Sequence, residues 1–192
     1  MRCKQGEGFL GYFAVIDTET NWADQVMSIG AVVADCTTFS PIDVRYYILT
    51  PEFTIGGMYE NELFSQAEPE PIICSRQEAL ADLYRWLGGY GVTDLYAYNA
   101  SFDRNHLPEF SCFIWHDIIR IAAYRQHNPK IPPDADCCST GRLKRNYGVE
   151  PMLKLLSGNG SYHEVHNAVD DALDELEIMR LLRYRPCDYT AL

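Results

Sequence analysis

A chain of 192 residues with 47% hydrophobic side chains can bury one sizeable core, so residues 1–192 are expected to form a single domain. A formal charge of −11 excludes a protein that tracks along duplexes by counterion release, while leaving room for an enzyme that grips a strand end through a few contacts and bridging divalent cations. The chain opens without a basic segment followed by a long apolar run, and no apolar stretch reaches bilayer-spanning length, so no membrane partner is expected.

Phe13-Ala14-Val15-Ile16 is a short apolar run ending at Asp17 and reads as a buried strand. Residues 29–33 and 44–49 give a second and a third strand, joined through the Thr-, Ser- and Pro-containing stretch 35–42 into an antiparallel meander. Across 51–74 the pattern dissolves into Gly56-Gly57, Pro69 and Pro71, which predicts a long surface loop. Ser75 followed three residues on by Glu78 has the form of a capping box. The helix it opens presents Leu80, Leu83, Tyr84 and Leu87 and is expected to stop at Gly88-Gly89.

Residues 95–98 and 113–115 read as a fourth and a fifth strand, with a short helix between them carrying Leu107 and Phe110. The change from meander to alternation predicts an α/β fold with a mixed sheet flanked by helices. Residues 128–139 are expected to be an exposed loop, 140–147 a short helix ended at Gly148, and 157–161 a turn. The last helix, 167–183, carries an apolar stripe of Ala168, Ala172, Leu176, Met179 and Leu182, with arginines gathered at its C-terminal end. Seven cysteines, an odd number with no C-x-x-C pair, fit a reducing cytoplasm; adjacent Cys137 and Cys138 lack a second pair at zinc-ligand spacing.

Three acidic pieces stand out. Asp17-Thr18-Glu19 sits at the end of the first strand, where a period of two puts both carboxylates on one face, an arrangement suited to a hard divalent cation. Asp103 follows the fourth strand in Tyr98-Asn99-Ala100-Ser101-Phe102-Asp103, and His166 precedes Asp171 by five residues at the head of the last helix. Each alone has an ordinary explanation: a turn cap for Asp17, a helix cap for Asp103, first-turn charges for Asp170 and Asp171.

Together, and in this order, they resemble the DEDDh (DnaQ-like) superfamily of 3′-5′ exonucleases, which has an RNase H-like fold. The resemblance spans roughly residues 12 to 183. It rests on Ile16-Asp17-Thr18-Glu19-Thr20, Ser28-Ile29-Gly30-Ala31-Val32, Asn99 to Asp103, and His166 with Asp171-Ala172. Weaker echoes are Trp115-His116-Asp117 and the segment from Leu143 through Tyr147-Gly148-Val149.

The resemblance implies two Mg2+ or Mn2+ ions per site. Asp17, Glu19 and Asp171 would hold one, and Asp17 with Asp103 the second. His166 would be the general base, His163 being the runner-up, and Asp117 is not a metal ligand in this pattern. Thr18, Thr20 and Phe102 match positions that receive the 3′-terminal nucleotide, and Trp22 is a candidate addition. The implied activity is hydrolysis of phosphodiesters at single-stranded or frayed 3′ ends of nucleic acid, DNA slightly favoured. RNA or oligoribonucleotide trimming is the alternative, and a catalytically silent binding or scaffold domain the second. A homodimer and a complex with a polymerase or another nucleic-acid enzyme are both compatible with the resemblance.

Two departures stand against it. Asn21-Trp22 replaces the usual Thr-Gly, and no histidine-glycine segment is evident before the first long helix, which leaves the form of the substrate open. Arg142, Lys144, Arg145, Lys154, Arg180, Arg183 and Arg185 are the best available phosphate contacts, though a solvated helix face explains most of them equally well.

Overall fold

The computed structural model describes residues 11–65 and 68–192; Cys3 and positions 66–67 of the long loop lie outside the described residues. Six strands, β1 (Tyr12–Thr20), β2 (Val26–Asp35), β3 (Pro41–Leu49), β4 (Ile72–Cys74), β5 (Asp94–Ala97) and β6 (Ile114–Asp117), form one mixed sheet in the order β4-β3-β2-β1-β5-β6. β1, β2 and β3 make the expected antiparallel meander, whereas β4, β5 and β6 join it in parallel.

Alternation along β1 explains the layers. Ala14 and Ile16 pack with Ala79, Leu80, Leu83 and Leu87 of α1 (Arg76–Gly89) on one face. Phe13 and Val15 turn to the other face. They pack there with Ile121 of α3 (Ile119–Ala122), Met152 of α4 (Val149–Ser157) and Ala172 and Leu176 of α5 (Ala168–Leu182). The remaining helix, α2 (Ser101–His106), follows β5 and is extended by a 3-10 turn at Pro108–Phe110. No helix among the described residues is long and apolar enough to cross a membrane.

Several expectations need correction. β1 runs past Asp17 to Thr20, because β2 continues to pair with it through Glu19 and Ser28. The 51–74 stretch contains a 3-10 turn, Glu52–Ile55, and the short edge strand β4. The Ser75 capping box is present, but Gly88 and Gly89 stay inside α1, and the chain turns at Gly91, whose φ is +67°. Glycine weakens a helix without forbidding it.

Residues 140–147 form no helix. Gly141 and Asn146 have φ of +88° and +56°, and the Leu143 N–H donates to the Ala123 carbonyl at 2.9 Å, which draws this segment into an irregular ladder. The helix lies instead at Val149–Ser157, with Pro151 in its first turn, where a missing N–H does no harm. Nor is 128–139 wholly exposed. Asn128 is fully buried and donates from Nδ2 to the Ala122 carbonyl, and Ile131 is buried beside it.

Candidate functional site

The sheet opens where the acidic residues gather. Among the described residues β1 pairs with β5 only through Ala14 and Val15, and beyond that point its edge facing away from β2 has no strand partner among them. A crevice at the carboxyl ends of neighbouring strands whose connections diverge is the usual ligand site of an open α/β sheet. Asp17 and Glu19 continue the Phe13 and Val15 side of β1, so both carboxylates face the layer that holds α5.

α5 is brought close by an absence. Gly30 stands opposite Asp17 across the β1–β2 ladder, and a Cβ added to it would lie 2.0 Å from the Ala168 carbonyl oxygen. Only a residue without a side chain lets the first turn of α5 reach the sheet. Asn167 caps that turn by accepting from the Asp170 N–H, which leaves Asp170 half-buried and turns Asp171 inward. One carboxylate oxygen each from Asp17, Glu19 and Asp171 then lie within 4.8 Å of one another.

Asp103 is fully buried beside this trio and accepts a 2.8 Å hydrogen bond from the Thr18 hydroxyl, so Thr18 serves Asp103 through its side chain. Asp117 is occupied elsewhere. It accepts from the Asn99 and Ile119 N–H groups and holds the turn, with Asn99 at φ +65°, that leads from β5 into α2.

His166, at φ +62°, places Nδ1 3.9 Å from Oε2 of Glu164, and Glu164, His166 and Asp171 form a second group with ligand atoms within 4.8 Å. The imidazole stacks on Tyr59, with centroids 4.3 Å apart and 18° between the planes. His163 points away, exposed, 3.7 Å from Glu150.

The electrostatics are those of crowded carboxylates, opposed in part by His106 beside Asp103 and His166 beside Glu164. Burial, then the charges of Asp103, Glu175, Asp171 and Glu19, hold Asp17 well above the usual carboxylate range. Burial with Glu164 and Asp103 lifts Glu19 to about 8, and burial with Glu164 and Glu19 lifts Asp171 to about 9. Asp103 is pushed by burial to about 7, against the pull of its Thr18 hydrogen bond. Oδ2 of Asp17 and Oδ1 of Asp171 are buried with no hydrogen-bond partner. Oxygen donors in this state suit a hard divalent cation, and the donor set fits magnesium or manganese.

The rim is apolar. Trp22 is 69% exposed, Met58 68% and Phe102 37%. The Trp22 N–H donates to the Gly56 carbonyl and Asn21 bridges Gly57, so the long loop that carries Met58 docks on the end of β1. Phe102 leans on His106, whose Nε2 lies 3.2 Å from Asp24 in the same turn. Thr20 is half-buried, its carbonyl against Gly57. Cys137 and Cys138 belong to no group of metal-ligand geometry among the described residues.

Glu164, Tyr59, Met58 and Glu175 escaped the sequence reading. Glu175, fully buried and held well above its usual range by burial and then by Asp103, follows Asp171 by four residues, a spacing that puts both on one helix face. The other three come from loops whose positions no periodicity reveals.

No family model matches the chain. No curated relative matches it either. Solved structures do. The nuclease domain of 3′hExo, a DEDDh family member bound to rAMP, superposes with a TM-score of 0.64 at 14% identity, covering 97% of this chain and 98% of that one. A 3′-exonuclease in 3′-end-specific recognition of a histone mRNA stem-loop gives 0.63 at 14% identity, over 96% of this chain and 87% of that one. Escherichia coli exonuclease I in complex with a dT13 oligonucleotide gives 0.57 at 14% identity, over 91% of this chain and 40% of that one. The chain has the RNase H-like fold of the DEDDh 3′ exonucleases.

Proposed function

We propose that this protein is a divalent-metal-dependent 3′-5′ exonuclease acting on single-stranded 3′ ends. The observation that carries this reading is the convergence of Asp17, Glu19 and Asp171 within 4.8 Å, with buried oxygens left unpartnered, in a fold shared with the nuclease domain of 3′hExo and with exonuclease I. Asp17, Glu19 and Asp171 would hold a cation, and Asp103, oriented by Thr18, would support a second beside Asp17. Bound magnesium or manganese supplies positive charge against the negative charge that builds on the phosphate oxygens during displacement.

The chain's own groups do the rest. His166 takes the proton of the attacking water, a task suited to a side chain whose ordinary pKa lies near neutrality. Tyr59 keeps the imidazole from swinging out of line by covering one face. The free edge of β1 and the apolar rim of Trp22, Met58 and Phe102 receive the terminal nucleotide, stacking on its base without selecting among bases.

RNA is the second reading of the substrate, favoured by the end-to-end match with the nuclease domain of 3′hExo. The test is digestion of 5′-labelled single-stranded DNA, single-stranded RNA and a blunt duplex with magnesium, manganese or EDTA. A metal-dependent ladder shortening from the 3′ end, absent in Asp17→Asn, is expected, and the faster strand identifies the sugar. Survival of all three substrates with metal bound would overturn the proposal in favour of a silent binding domain.

A further inference from the structure

The proposed hydrolysis has no use for Glu164. Its carboxylate is only 13% exposed and sits between Glu150 at the head of α4 and the imidazole of His166. At 3.9 Å, Glu164 Oε2 and His166 Nδ1 are too far apart to hydrogen-bond to each other, yet a ligand atom of each lies within 4.8 Å of the other and of a carboxylate oxygen of Asp171. Asp171, the third member of the group, is 5% exposed, and its buried Oδ1 lacks a hydrogen-bond partner.

We infer that Glu164, His166 and Asp171 form a second kind of cation site, fitted to a transition ion of the zinc type, whose occupation takes His166 out of service. The inference rests on the exonuclease reading for its regulatory half; the binding half stands on the geometry alone. One imidazole and two carboxylates are a donor set that zinc accepts, with a fourth position left for water. Donor atoms around tetrahedral zinc, with bonds near 2.0–2.1 Å, stand about 3.4 Å apart. The 3.9 Å between Glu164 and His166 therefore needs to close by only a fraction of an ångström.

The nitrogen donor is what separates this site from its neighbour. Asp17, Glu19 and Asp171 offer oxygen alone, the preference of magnesium, whereas imidazole shifts preference along the series toward zinc. Tyr59 holds the imidazole plane, so part of the ordering that ligation requires is present beforehand. Asp171 is shared by the two groups. Zinc held by His166 would occupy the nitrogen lone pair that accepts the water's proton, and would draw Asp171 away from the oxygen-only site.

The experiment is calorimetric titration of zinc into the protein in millimolar magnesium, using wild type, Glu164→Gln, His166→Ala and Asp17→Asn. A parallel titration with cobalt(II) reads its visible absorption. Binding of about one zinc per chain is expected, weakened at least about ten-fold by Glu164→Gln and by His166→Ala separately. The cobalt absorption should change shape in His166→Ala but keep it in Asp17→Asn. No zinc binding in magnesium, or binding abolished by Asp17→Asn and untouched by the other two, overturns the site.

Activity forms the second arm. Zinc should arrest magnesium-supported digestion, and Glu164→Gln should raise the half-inhibiting concentration about ten-fold or more, each rate taken relative to that variant's zinc-free rate. Zinc that binds through His166 without slowing digestion overturns the regulatory half. Zinc binding in a protein that digests nothing would leave the site standing while the exonuclease reading fails.

Discussion

Gly30 and Ala168 approach so closely that one added carbon at Gly30 would stand 2.0 Å from the Ala168 carbonyl oxygen and 2.3 Å from the next backbone nitrogen. Backbone cannot rotate aside as a side chain can, so Gly30→Ala must lift the first turn of α5 off β2. That turn carries Asp171, while Gly30 is itself paired with Asp17. Gly30→Ala should destabilise the fold by about 1–3 kcal/mol, the range for overpacking, and also weaken magnesium binding by separating the two carboxylates. Thermal unfolding in EDTA reads the first effect, and the midpoint of a magnesium titration the second. A lower melting temperature with unchanged magnesium affinity would show that the contact serves packing alone.

The crowded carboxylates predict an unusual pH dependence of stability. Glu19, Asp103 and Asp171 lie at about 8, 7 and 9 in the metal-free protein, all above their unfolded values of about 4. A group with a raised folded pKa contributes stability that is complete below its unfolded value and is lost as pH rises through the folded one. Without metal, the melting temperature should therefore fall between about pH 5 and pH 9, and magnesium should restore more of it at the higher pH, where protons no longer compete. Differential scanning in EDTA and in magnesium across that range checks both signs. A metal-free melting temperature that rises with pH would contradict the buried cluster.

Much of this arrangement was legible in the sequence, for reasons visible in individual residues. Asp17 and Glu19 sit two apart on a strand flanked by apolar residues, and Asn167 before two aspartates marks the start of a helix, so local pattern located both. The same reasoning failed at 140–147, where Gly141 and Asn146 adopt positive φ and Leu143 is drawn to Ala123 by a contact made across the fold. It also missed Tyr59 and Glu164. Both reach the site from irregular segments, and their approach to His166 depends on how the long loop docks against Asn21 and how residue 164 leans on α4. Gly56 and Gly57 read as loop punctuation, whereas in the fold Gly57 fits between the Thr20 carbonyl and Met27.

If His166 is the base and Tyr59 its support, the two substitutions should differ in size and not in kind. His166→Ala removes the proton acceptor and should slow hydrolysis by about 10²- to 10⁴-fold with little change in KM. Tyr59→Ala removes one stacking face, of the order of 0.5–1.5 kcal/mol, and should lower kcat by about 2- to 10-fold. Tyr59→Phe keeps the ring and should stay near wild type. Steady-state kinetics on a labelled oligonucleotide compares all three. Equal losses in Tyr59→Phe and Tyr59→Ala would transfer the role from the ring to the hydroxyl.

Trp22 and Met58 raise a different question, because both offer most of their side chains to solvent. Trp22 is fixed to the docked loop through the Gly56 carbonyl, so its ring is offered to solvent from a backbone that is itself held. A base stacked on such a face gains about 1–3 kcal/mol, and that gain is made in the bound substrate and the transition state alike. Removing it by Trp22→Ala should therefore raise KM by about 5- to 150-fold while leaving kcat near its original value. Met58→Ala should act in the same direction with a smaller effect, since a thioether offers less surface than an indole. Neither change should alter the melting temperature, as neither side chain is buried. Michaelis–Menten analysis with an oligonucleotide of one repeated base isolates the effect. A fall in kcat at constant KM would instead mean that Trp22 aligns the terminal phosphodiester, so that its contact matures only as the bond breaks.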